Sequence, residues 1–229
     1  MMAVTRIGAL LGCLAILSGC GGGLTAPSAN RVFAEGVRSY ASGRRAATEQ
    51  AQRPALTRAV LDTLDGAFME AMLENTGSLA YMFVQAERND SFPGRVVVWR
   101  TEDNITLALR QDVLIQTRGL GGDLLSSKVQ VTNGVAGPVG GGERRMRIRA
   151  RDNKSLAFNG ACRLDDLGHE RIVIVERGFR TRHFRETCNI GNGQIRNDYW
   201  VDSSAQVVWQ SRQWAGPEIG YIRLRRLTR

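Results

Sequence analysis

The chain has 229 residues, 43% of them hydrophobic, and 31 lysines and arginines against 22 acidic side chains, for a formal charge of +9. That length suits one large domain or two small ones, with a core that stands without metal or dense cross-linking. Beyond the N-terminal segment no apolar run approaches the length of a membrane-spanning helix, about 20 residues.

The first element in chain order is a secretion signal over residues 1–19. Arg6 supplies a short charged n-region, and Ile7 to Leu17 is an apolar h-region too short to cross a bilayer as a helix. Leu17, Ser18, Gly19 and Cys20 close it as a lipobox, in which small residues admit the peptidase and the thiol accepts lipid. Cys20 is therefore the expected lipid attachment site. Gly21 follows where Asp would signal inner-membrane retention, which points to the outer membrane. Residues 20–30, rich in glycine, form the expected tether, and residues 31–229 the expected single periplasmic domain.

Phe33, Val37 and Tyr40 recur at helical spacing within 28–43, and a further turn or two of helix is expected from Leu56 to Leu64. From about Ala67 the chain reads as successive strands: 78–85, 95–102, 105–110, 113–118, 144–151, 156–164, 171–177, 179–188, 194–201, 205–214 and 220–227. The expected fold class is mainly β, an antiparallel barrel-like or sandwich domain with one or two short N-terminal helices. No helices alternate with the strands, which excludes a doubly wound α/β fold. The loop from Asn133 to Gly142 divides two strand groups, but each has too few strands to stand alone.

Charge is segregated. Residues 20–142 carry 12 basic and 12 acidic side chains, whereas residues 143–229 carry 18 and 10. A basic half suits an anionic partner, such as phospholipid, lipopolysaccharide phosphate or acidic polysaccharide; an exported chain rarely meets nucleic acid. All but Lys128 and Lys154 of the basic residues are arginine, so genome composition is the competing explanation. Arg145, Arg147, Arg149 and Arg151 alternate with Met146, Ile148 and Ala150, which puts four guanidiniums on one face of a strand. Guanidinium matches phosphate and carboxylate oxygens bidentately, so this face is the candidate anion-binding site, with a solvated face as the alternative.

Cys162 and Cys188 remain as an even pair in an oxidising compartment. They are expected to be bonded, unless strand topology separates them as two buried thiols. No catalytic or metal site emerges. The glycine runs 119–122 and 140–142 lack a phosphate-loop ending and read as turns or bulges. His169 and His183 have no metal-ligand spacing around them, and no G-x-S-x-G element occurs. The pairs Glu102–Asp103 and Asp165–Asp166 read as solvated turn carboxylates, and Trp200, Trp209 and Trp214 as core or cross-strand rings. No cofactor is implied.

The segment Asn197 to Trp214, with Tyr199, Trp200, Val201, Asp202, Val207, Gln210, Ser211, Arg212 and Gln213, resembles the end of the YjbF/GfcB-like lipoproteins. These are the group 4 capsule and exopolysaccharide lipoprotein family. The resemblance implies an outer-membrane lipoprotein with a β-rich, barrel-like body, not an enzyme, that assists polysaccharide export or assembly. Its implied partners are the membrane, anionic polysaccharide and export proteins. A β-barrel carrier or sensor of a lipid or glycan is the alternative, and it requires an open apolar cavity.

Overall fold

The computed structural model describes residues 56–150 and 154–229. The signal, Cys20, the tether, the helix expected within 28–43 and Arg151 lie outside the described residues. Within 56–64 the helix is a single turn, α1 (Arg58–Leu61). Thr57 caps it by accepting a hydrogen bond from the Val60 amide at 3.3 Å.

Twelve strands follow: β1 (Phe68–Leu73), β2 (Ser78–Arg88), β3 (Val96–Arg100), β4 (Thr106–Arg110), β5 (Val113–Arg118), β6 (Leu124–Lys128), β7 (Gly142–Arg149), β8 (Ser155–Ile174), β9 (Arg177–Ile190), β10 (Gly193–Asp202), β11 (Val207–Gly216) and β12 (Gly220–Arg226). They make one antiparallel sheet in the order β5-β4-β3-β2-β1-β12-β11-β10-β9-β8-β7-β6. The chain is thus a meander curled into a nearly closed barrel. β1 pairs with β12, Met69 opposite Arg226 and Leu73 opposite Ile222, and the ring is interrupted between β5 and β6. Strands on both sides of the 133–142 loop belong to this one sheet.

Two strand assignments need correction. Residues 156–164 and 171–177 are not separate strands but parts of β8, which passes through an irregularity between Asp166 and His169. The expected break at Gly178 is instead inside β9. The hairpin turns at Val175 (φ 41°) and Glu176 (φ 64°), a conformation that glycine or asparagine adopts far more readily than valine. Arg58 holds that turn: it donates to the carbonyls of Ile174 (2.9 Å), Val175 (3.3 Å) and Leu227 (2.8 Å). Gly178 pairs with Val173 in the β8–β9 ladder, beside the Arg171 guanidinium.

Period-2 alternation sends one set of side chains inward. Met69, Met82, Trp99, Leu107, Leu109, Leu114, Met146, Ile148 and Ile222 are buried in the main cluster, and each such side chain is worth about 1.5–3 kcal/mol. Tyr199, Val201, Val208 and Val113 form a second interior group. A third group joins Leu61 and Leu64 of the α1 region to Ile172, Ile174, Trp209 and Leu227, fixing the β8–β9 tip against the body.

The open seam is closed by side chains. The edge of β5 presents backbone groups that would otherwise be unpaired. Gln213, reaching from β11, accepts from the Leu114 amide at 2.7 Å and donates to the Asp112 carbonyl at 2.9 Å. Arg144 of β7 donates to the Leu114 carbonyl at 3.3 Å. In the 119–122 connection, Asp123 accepts from the amides of Gly119 and Leu120 and from the Thr117 hydroxyl, while Thr117 accepts from the Leu124 amide.

Candidate functional site

The face singled out by its arginines is an exposed surface of β7. Arg145, Arg147 and Arg149 are exposed, whereas Arg144, Met146 and Ile148 are buried, so the alternation holds from Glu143 to the end of the strand. Lys128 of β6 lies opposite Arg145, and Ser126 opposite Arg147. On the other side Asn159, Ala157 and Ser155 of β8 oppose Arg145, Arg147 and Arg149. The small neighbours leave the long basic side chains standing above their surroundings. Arg145 pairs with Glu143 at 2.7 Å, which raises the arginine's pKa and lowers that of the carboxylate. Arg147 donates to the Ser155 hydroxyl at 2.8 Å. Arg145, Arg147 and Arg149, with Lys128 across the strand pair, make this face basic.

Arg144 shares the parity of Met146 and Ile148 and turns inward. Its side chain is 2% exposed and is paired with Glu186, 6% exposed. Burial opposes the charge on Arg144 most strongly, but the Glu186 carboxylate and the Tyr199 hydroxyl together outweigh it and the guanidinium pKa is raised. Asn197 donates to Glu186 at 2.7 Å and accepts from the Trp214 amide at 2.8 Å. The Tyr199 hydroxyl donates to Gln213 at 3.1 Å; burial, then the Glu186 carboxylate, push its pKa above the ordinary 10.0. Three polar residues of the C-terminal motif, Asn197, Tyr199 and Gln213, therefore have a physical role in binding the barrel together across its interior.

Cys162 and Cys188 are direct cross-strand partners on β8 and β9 and form a disulfide. Glu186 lies close to both sulfurs, but bonded sulfurs are not thiolate ligands. His183, with no sequence neighbour at ligand spacing, is brought between two carboxylates by the sheet: Asp198 at 2.9 Å from Nε2 and Glu170 at 3.0 Å from Nδ1. Its ring stacks on Trp200 with centroids 4.4 Å apart, so the imidazole is held on both edges and one face. Asp165 and Asp166 are not turn residues as expected; they sit within β8 and pair with Arg163 and Arg182. Trp209 is buried, and Trp200 and Trp214 are partly buried against the clusters.

These features define a class: a barrel-like antiparallel β protein with a filled, cross-braced interior and a basic strand face. The chain belongs to the YjbF family, group 4 capsule polysaccharide lipoprotein GfcB/YjbF, whose model matches residues 32–227. The fold is similar to that in the crystal structure of the hypothetical lipoprotein YmcC from Escherichia coli K12. The TM-score is 0.64 at 17% identity, over 90% of this chain and 97% of that one. No protein of curated function matches the sequence.

Proposed function

We propose that the protein is a lipid-anchored, non-enzymatic accessory in capsule or exopolysaccharide assembly and export. In this reading Cys20 carries the lipid, the anchor lies in the outer membrane, and the body faces the periplasm. The observation that carries the reading is membership of a capsule polysaccharide lipoprotein family across nearly the whole body. The exposed arginines of β7, with Lys128 beside them, supply a surface suited to the carboxylates or phosphates of an acidic polysaccharide. Several acyl methylenes, each worth about 0.8 kcal/mol when buried, would hold that surface near the membrane.

The carrier reading requires an apolar cavity along the barrel axis. Trp99, Tyr199, Leu114, Met146 and Ile148 occupy interior positions at 0–1% exposure, which favours a surface that binds over a lumen that carries. The test is exchange of Arg145, Arg147, Arg149 and Arg151 for Gln, with binding to an acidic polysaccharide measured at several salt concentrations. Loss of a salt-sensitive interaction is the expected result, and unchanged binding would overturn the role of this face.

A further inference from the structure

One end of the barrel carries a cleft of about 560 Å³, built by four connections: the β2–β3 loop, the β4–β5 turn, the β6–β7 loop and the β10–β11 turn. The volume lies within the range of roughly 300–1,000 Å³ usual for small-ligand sites. Phe92 stands at it with 64% exposure, the most exposed large hydrophobic side chain among the described residues. The ring is not loose. Its amide donates to Asp90 at 2.9 Å, and the Arg110 guanidinium lies 5.7 Å from its centroid.

The walls are tied in place by hydrogen bonds that do not consume the whole lining. Gln111 donates to the Val135 carbonyl at 2.9 Å and its own carbonyl accepts from the Gly137 amide at 2.8 Å. Gln206 accepts from the Ala136 amide at 3.0 Å, so the β6–β7 loop is held by turns on two sides. Asn133 gives Oδ1 to the Gly94 amide at 2.6 Å, which leaves its Nδ2 donors for a ligand. Gly94 has φ 90°, and a Cβ there would lie 2.8 Å from Gln111 Cγ, so glycine permits this close approach.

Charge selects the ligand class. Every charged side chain of the lining is already neutralised within the protein: Asp90 by Arg110 (2.6 Å), Asp112 by Arg226 (2.6 Å) and Arg95 by Glu87 (2.7 Å). A phosphate or carboxylate would meet two aspartates, whereas a ligand rich in hydroxyls would meet amide donors, carboxylate acceptors and an aromatic platform. We propose that this cleft binds an uncharged hexose segment of a polysaccharide, with one sugar face on Phe92 and hydroxyls on Asn89, Asn133 and Asp112. The inference rests on the polysaccharide reading above and deepens it. The loop that supplies Asn133 runs straight into β7, and Lys128 and Arg145 are cross-strand neighbours at its base. One glycan chain could then offer acidic residues to the arginine face and neutral residues to the cleft.

The test uses the full chain in detergent, with saturation-transfer NMR and calorimetry against neutral gluco-, galacto- and manno-hexasaccharides and against hyaluronan hexasaccharide as the acidic probe. Binding of at least one neutral probe is expected. Phe92→Ala and Asn133→Asp, which keeps the acceptor for Gly94, should each weaken it about tenfold, as loss of one well-placed contact does. The β7 arginine-to-Gln variant should keep neutral binding and lose the acidic probe. Unchanged melting temperatures show that the variants remain folded. Failure of all three neutral probes to bind wild type, or equal binding by the Phe92 and Asn133 variants, would overturn the cleft. Acidic binding that persists in that case would leave the polysaccharide reading standing; loss of both would remove both.

Discussion

Replacing Glu186 by Ala should be among the most damaging single changes in this protein. The substitution leaves the Arg144 guanidinium, 2% exposed, without its counter-ion, and it takes the acceptor from Asn197 Nδ2. Breaking a buried ion pair from one side costs about 3–5 kcal/mol, and the orphaned amide adds about 1 kcal/mol. For a domain of this size each kcal/mol lowers the melting temperature by about 2–4 °C, so a fall of about 8–24 °C is expected. The double variant Arg144→Met, Glu186→Leu removes both charges and fills the volume. It should recover most of the loss, falling short by about 1–2 kcal/mol because the Leu114 carbonyl at the seam loses its donor and Asn197 Nδ2 still lacks its acceptor. Guanidinium chloride unfolding of the oxidised protein, followed by tryptophan fluorescence, measures all four corners of this cycle. A single variant that loses less than about 1 kcal/mol, or a double variant as unstable as the sum of the singles, would refute the cross-bracing argument.

Three further outcomes follow from the same physics. Arg58→Ala removes a donor shared by three carbonyls and should cost about 2–4 kcal/mol, with hydrogen exchange accelerating first at the Val175–Glu176 turn. Exchanging Cys162 and Cys188 for Ser opens a loop of 26 residues and should lower stability by about 3 kcal/mol, detectable as a shifted denaturation midpoint. The Asp90 carboxyl, held by its hydrogen bond from Arg110 and by the Phe92 amide, should titrate at about 2 instead of the ordinary 3.8. Its folded-state pKa is depressed, so its contribution is complete above 3.8 and is lost as the pH falls through about 2; carbon-detected NMR of the side chain reads this directly.

The parts legible in the sequence are those governed by local period and composition. Alternation along residues 144–151 exposed Arg145, Arg147 and Arg149, because a strand cannot bury one parity without presenting the other. The same rule applied one residue earlier would have turned Arg144 inward beside Met146; its charge disguised it as a surface residue. The short β6, Leu124–Lys128, is half polar and follows closely on a glycine pair, so nothing local marks it as a strand. Gly178 looked like a hairpin turn because glycine usually serves turns, yet here it pairs with Val173 inside the β8–β9 ladder, and Arg58 holds valine in the turn instead. Closure of β1 on β12 and the seam at β5 and β6 depend on pairings far apart in the chain. The end cleft brings together Phe92, Gln111, Asn133 and Gln206, which share no motif and meet only once the meander has curled.

The proposed role joins two things, service in polysaccharide assembly and a lipid anchor at Cys20. Quantifying surface-attached and released polysaccharide in a gene deletion, complemented by wild type or by Cys20→Ala, tests it most directly. Surface polysaccharide should fall in the deletion and be restored by wild type and not by the unanchored variant. Polysaccharide unchanged by the deletion would contradict that role.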